Sequence, residues 1–362
     1  MEPRAFNRYL RILFGVILAG GIGIIVLNWF IDPLQFYRRA SYPPLLIGEK
    51  RFQAPGIAKN YDYDAVVLGT SVSETIEGAD VRERLGWRSL NLAMQGASAR
   101  EQHLALDVAL RAGRTRAVIW DLNYEYLRGS PDWVANYDGS FPFYFYDENP
   151  WNELNNYLLS LDACKASLKI LLRRAGLPTY QPRTPDEVFV WHNKKTFGAA
   201  ALRRSWAKYA ASRNAQFVRA AGDYTVANLN ANFDAHILPA LRAHPEVSFN
   251  LYFPPFSLAY YANLTAANPQ IFANLLANKR HIIGQTRALP NVRLFDFQAR
   301  SEIITNAADY CDLVHFSHAI GRQLLDDVHA GRSIADEAGV DRLKALVESP
   351  ATAVWLRENG LE

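Results

Sequence analysis

Twenty residues without a charge, ILFGVILAGGIGIIVLNWFI from Ile12 to Ile31, constrain this chain more than any other feature of its sequence. At a helical rise of about 1.5 Å per residue such a run spans roughly 30 Å, the thickness of a bilayer's hydrocarbon core. Arg4, Arg8 and Arg11 flank it on one side, Trp29 and Phe30 stand at the other as interfacial anchors, and Asp32-Pro33 stops the helix. The basic flank predicts a single pass through the inner membrane, with residues 1–11 cytoplasmic and everything after Asp32 periplasmic or otherwise extracytoplasmic. A cleaved signal peptide is the rival reading. Its apolar core is usually shorter and no A-x-A site follows, so the run reads as a retained signal anchor at residues 12–31. Gly15, Ala19 and Gly23 have the small-xxx-small spacing that lets membrane helices approach, though lone spans commonly carry it.

No second apolar stretch of that length follows, so the remainder reads as one body beside the membrane. Hydrophobic residues make up 49% of the chain and charged ones 21%, the balance of a globular protein rather than a disordered one. A formal charge of +3 is too small to argue for nucleic acid. Cys164 and Cys311 are too few for a thiolate metal site, and no metal or cofactor is expected. Either a Cys164–Cys311 disulfide or two separate thiols fits the sequence.

Beyond a linker at 32–60, short apolar runs alternate with helical patterns. Ala65–Gly69, Ser89–Ala93, Ala117–Asn123, Val247–Phe253 and Val292–Phe297 read as five strands. Ala79–Leu85 reads as a helix, and Ser98-Ala-Arg-Glu101 is a capping box opening another that Gly113 ends. Strands separated by helices predict a parallel sheet with right-handed crossovers, in a domain over 61–335. An insertion at about 128–245 breaks the rhythm. It begins with an aromatic-rich segment, Pro131–Trp151, read as a lid, and continues with helical patterns at Trp151–Arg174 and from Lys194 to about Arg242. Residues 336–362 read as a helical tail. A dinucleotide site is excluded because no G-x-G-x-x-G follows the first strand.

Gly69-Thr70-Ser71 follows the first strand, where open α/β sheets put their ligands. A serine hydroxyl there is either a helix cap or a nucleophile, and a nucleophile needs a base and a carboxylate to orient it. His192, His236, His244, His281 and His329 have no carboxylate in a useful local register, and His103 lies inside the capped helix. His315 does: Asp312 precedes it by three residues, beyond the fifth strand, and Ser317 is placed to cap the helix that follows. Ser73 and Glu74 read as cap and first-turn residues.

In order along the chain, a Ser after the first strand, Gly96 after the second, Asn123 at the third and D-x-x-H before the last helix resemble the four blocks of the SGNH/GDSL hydrolase superfamily. The resemblance is to its membrane-anchored, envelope-associated branch, which includes glycan esterases and O-acyltransferases. It covers Ala65–Asn123 and Val247–Val328. Thr70 stands where the Asp of G-D-S is usual, no Gly precedes Asn123 as in G-x-N-D, and Phe316 replaces the frequent Pro after the dyad. The resemblance implies a flavodoxin-like three-layer α/β/α fold on a five-stranded parallel sheet. It implies a catalytic Ser71, His315 and Asp312, with an oxyanion hole from the Ser71 and Gly96 amides and the Asn123 side chain. The expected substrate is an acylated carbohydrate or other ester, resolved by water in an esterase or by a sugar hydroxyl in an O-acyltransferase. A membrane acyl-transfer or polysaccharide-export protein is the partner such a role implies. A non-catalytic envelope assembly protein on the same fold is the remaining alternative.

Overall fold

The computed structural model describes residues 3–135 and 140–361, which form two compact units. Tyr137, within the aromatic segment, and Met1, Glu2 and Glu362 lie outside the described residues.

The larger unit comprises residues 62–140 and 189–362 and is built on an all-parallel sheet. Its strands are β1 (Ala65–Leu68), β2 (Ser89–Asn91), β3 (Ala117–Asp121), β4 (Ser248–Phe253) and β5 (Val292–Asp296), in the order β2-β1-β3-β4-β5. Each matches a run read from the sequence, ending up to two residues earlier. Every residue of β1 and of β3 is buried, which is why both read as unbroken apolar runs rather than as alternation. Trp120 is fully buried and its indole donates to Gln102 Oε1 at 2.6 Å. Truncating such a residue to Ala costs roughly 3–5 kcal/mol. The capping box closes as expected: Ser98 Oγ accepts from the Glu101 amide while the Glu101 carboxylate accepts from the Ser98 amide. It opens the helix Ala99–Arg111, which lays Ala105, Leu106, Val108 and Ala109 into the core.

Register decides what meets above the sheet. Leu68 pairs with Trp120, so the turn leaving β1 lies beside the last residue of β3. That is the point where strand order reverses, since β2 lies on one side of β1 and β3 on the other. The C-terminal part of the unit carries the helices His318–Ala330, Glu337–Glu348 and Pro350–Glu358.

The smaller unit comprises residues 1–61 and 141–188. Its helix Pro3–Ile31 contains the single stretch among the described residues, Arg4–Ile31, long and apolar enough to cross a membrane, with a mean hydropathy of 2.5 over its most apolar 18 residues. Phe14, Val16, Ile17 and Phe30 are each more than 60% exposed, an arrangement that water disfavours and lipid does not. At its end Asn28 donates to the carbonyls of Leu158 and Ser160 and accepts from Ser167 Oγ at 2.9 Å. Asp32, at φ +50°, accepts from the amides of Phe36, Tyr37 and Arg38 and from the Tyr157 hydroxyl at 2.7 Å.

Two readings from the sequence change here. Residues 32–60 are not a free linker: they fold, ending in the helix Lys50–Asn60, most of which is buried. Gly56 in that helix passes so close to the preceding loop that a Cβ would lie 2.3 Å from the Leu34 carbonyl. Of the aromatic segment, Phe141, Phe145 and Tyr146 belong to the smaller unit and are buried in it, where Phe145 packs on Phe36 and Tyr157. The Trp151–Arg174 pattern is not one helix either. A wide turn at Leu154–Leu158 interrupts it, and Ser160 caps a fresh helix, Leu161–Arg174, by accepting from the Ala163 amide. Both cysteines are free thiols, Cys164 in the smaller unit and Cys311 in the larger.

Candidate active site

β1 runs into Gly69, whose φ of +133° suits glycine alone. A Cβ there would stand 2.1 Å from Asp121 Oδ2 and 2.7 Å from Ser73 Oγ, so the position is closed to side chains sterically as well. Asp121 is the clamp. Its Oδ2 accepts from the Thr70 amide at 2.8 Å and from Ser73 Oγ at 2.6 Å, fixing the backbone on either side of Ser71. Burial pushes its carboxyl up to about 6, against the pull of the hydrogen bonds from Ser73 and Thr70. Ser73 is therefore not a helix cap, as the sequence implied. It makes no capping bond; fully buried, it bonds Asp121 and the Tyr252 hydroxyl at 2.6 Å. Asn91 at the end of β2 completes the support by donating to the carbonyls of Ser73 and Ile76.

Ser71 stands half-exposed on this turn, and its Oγ lies 2.8 Å from His315 Nε2. His315 Nδ1 lies 2.7 Å from Asp312 Oδ2. The other Asp312 oxygen accepts from the amides of Val314 at 2.9 Å and His315 at 2.8 Å, so one carboxylate both shapes the D-x-x-H turn and orients the ring. Burial alone would raise the Asp312 carboxyl, but the neighbouring His315 and these hydrogen bonds outweigh it and hold it well below the usual carboxylate range. An ionised Asp312 only accepts, which puts the imidazole proton on Nδ1 and leaves Nε2 free to take one from Ser71. Cys311 and His315 are joined by a backbone hydrogen bond, and Ser317 caps the helix His318–Ala330 by accepting from the Ile320 amide. The dyad thus stands on a braced turn.

Trp191 completes the surroundings. Its indole N–H donates to the Ser71 carbonyl at 2.8 Å, and its ring meets the His315 ring edge-on at 4.9 Å. Nothing in the local sequence marks it, since its partners are over a hundred residues away along the chain.

Of the expected oxyanion donors, Asn123 donates from Nδ2 to Thr70 Oγ1 at 3.2 Å, beside Ser71, while its Oδ1 accepts from the Glu125 amide. It is thus both the cap of the turn Tyr124–Tyr126 and a side-chain amide bonded to the residue before Ser71. Gly96, at φ +62°, lies in the loop after β2 that the Met94 amide ties to the Gly69 carbonyl at 3.0 Å. Among the described residues the amides of Ser71 and Gly96 donate to no protein acceptor.

Two histidines pair with carboxylates from other elements, which local register could not reveal, His281 with Asp234 and His192 with Glu77, while His244 pairs with Glu246 two residues on in its own loop. His318 bonds Asp80, and its ring stacks on that of His192 at 4.5 Å. Donor atoms of Glu77, His192 and His318 lie within 4.8 Å of one another, the one group among the described residues that could hold a metal ion. His192 Nε2 lies 3.2 Å from Glu77 Oε1, whereas His318 Nε2 bonds Asp80, outside the group.

No protein-family model matches this chain, and no curated protein matches it.

Proposed function

We propose that this protein is a serine acyl-ester hydrolase of the SGNH/GDSL type, anchored in the inner membrane by its N-terminal helix, with its α/β unit outside the cytoplasm. The substrate we assign is an O-acyl group on an envelope glycan. The continuous chain from Ser71 Oγ through the His315 ring to the Asp312 carboxylate, with links of 2.8 and 2.7 Å, carries this reading. The strand order 2-1-3-4-5 supports a flavodoxin-like three-layer arrangement, whose ligand crevice opens at the C-terminal ends of the strands flanking the order reversal. Ser71 and Asn123 both follow such strands.

In this mechanism Ser71 Oγ attacks the ester carbonyl carbon as His315 Nε2 takes its proton, and Asp312 stabilises the imidazolium. The tetrahedral oxyanion is met by the amides of Ser71 and Gly96 and by the Asn123 side chain. Each such donor is worth about 3 kcal/mol of barrier. The intermediate collapses as the imidazolium returns its proton to the departing alcohol oxygen, leaving an acyl group on Ser71. Water, deprotonated by His315, then attacks the acyl carbon, and Ser71 leaves with the proton. A sugar hydroxyl in place of that water makes the same machinery an O-acyltransferase.

Hydrolysis of a small aryl ester tests this. Ser71→Ala and His315→Ala are each expected to lower kcat/KM by roughly 10⁴-fold or more, with the double variant little worse than either, because members of one catalytic unit are not additive. Asp312→Asn is expected to keep more activity than His315→Ala, since a mis-set tautomer is less damaging than a missing base. Folded single variants with wild-type rates would reject the esterase and leave the assembly-protein reading.

A further inference from the structure

A cavity of about 830 Å³ lies within the larger unit, with Asp312 of the triad among its lining residues. One wall is the helix Ala199–Arg219, which turns Arg204, Lys208 and Arg213 toward it at near-helical spacing. Lys194 and Lys195, on the segment before that helix, face the same space. The single carboxylate in the lining is Asp312, already bound to His315.

These five cations are not equivalent. Arg213 is half-buried and pairs with Glu125 at 2.8 Å, so it belongs to the wall. Lys194, Lys195, Arg204 and Lys208 are exposed, and none forms an ion pair with a carboxylate among the described residues. In a chain with 39 basic and 36 acidic residues, four uncompensated cations around one concavity are a local concentration that the overall balance does not produce. A recess lined by one sign of charge focuses the field and gathers counter-ions.

The geometry favours a chain of charges over a single one. Helical rise separates Arg204 from Lys208 by about 6 Å, and Lys194 and Lys195, on the segment before the helix, extend the set of cations around the same space. An exposed ion pair contributes only about 0–1 kcal/mol, so a lone anion gains little, whereas a repeating polyanion engages several cations at once. Ser212 and Gln216, exposed on the same wall, supply the uncharged partners that sugar hydroxyls need. A lipid surface fits less well, because the site is concave and its aliphatic side chains, Ala201 and Leu313, are buried, which leaves Tyr209 as the one exposed ring in the lining.

We infer that this cavity is a cleft for an acidic polysaccharide, which the four cations without a carboxylate partner hold alongside the triad. The inference rests on the esterase reading for what happens to the glycan, but not for its binding. The test uses the full chain in detergent with Ser71→Ala, so that nothing turns over. Titration with a galacturonic acid hexasaccharide is expected to show binding that high salt weakens about tenfold. The R204E/K208E double variant is expected to lose binding to a similar degree, and neutral maltohexaose should not bind. K194E/K195E, off the helix, repeats the measurement should the helix variant misfold. Equal binding of the neutral hexasaccharide, indifference to salt and charge reversal, or absence of binding would each overturn the inference. So would charge-dependent binding to phosphatidylglycerol vesicles without binding to the hexasaccharide. Aryl-ester turnover by the wild-type chain is read separately, so a dead triad with an intact anion site, or the reverse, identifies which of the two readings has failed.

Discussion

At the end of β3 the carboxyl of Asp121 is shut away from water and accepts from Thr70 and Ser73, the residues that bracket Ser71. Burial raises it to about 6, so between its unfolded value near 4 and that point the unfolded chain has released a proton that the folded chain still holds. The unfolded state binds fewer protons there, and stability therefore falls as pH rises through this window, by about 3 kcal/mol at most from this group. Asp312 acts with the opposite sign. Its lowered carboxyl adds stability that is present above the unfolded value and is lost only on acidification below about 4. Denaturant midpoints measured between about pH 4 and 6.5 should decline with pH for the wild type and stay flatter for Asp121→Asn. Parallel curves for the two would remove Asp121 as the source. This residue was not legible as a clamp. Its partners lie 48 and 51 positions away, and an Asp ending a strand reads the same whether it faces solvent or a buried turn.

Among elements, the strands were the most legible, because a parallel sheet buried on both faces writes itself as runs of Ala, Val, Ile and Leu. The helix Ala99–Arg111 was equally plain, since its cap is a local four-residue pattern. Residues 32–60 were opaque for the converse reason. Asp32 is satisfied by amides four to six residues on and by Tyr157, while Gly56 is demanded by a contact with Leu34, and no periodicity encodes either. The N-terminal helix is the element with the most direct prediction. Given Arg4, Arg8 and Arg11 before its apolar span, a reporter fused after the last residue should be active only outside the cytoplasm. Alkaline phosphatase and a fluorescent protein that matures only in the cytoplasm provide the two arms. Fluorescence without phosphatase activity would reverse the orientation.

Over the whole molecule, the candidate site gathers residues from five widely separated parts of the chain. Ser71, Asn123, Trp191 and the Asp312–His315 turn are drawn together, with Gly96 on a loop tied to Gly69. Ser71, Asp312 and His315 were readable because each keeps a local signature: a hydroxyl after a buried strand, and a carboxylate three residues before an imidazole. Trp191, Asn91 and the cationic cavity were not, because tertiary packing alone gives them their partners. The central claim is that the Ser71 hydroxyl is activated by His315 to form an acyl-enzyme. Reaction of the purified, folded full-length chain with a fluorophosphonate, followed by peptide mass spectrometry, interrogates that nucleophile directly. One adduct is expected, on the peptide carrying Ser71, absent in Ser71→Ala and strongly reduced in His315→Ala; a folded wild-type chain that stays unlabelled, or carries the adduct on another serine, would contradict it.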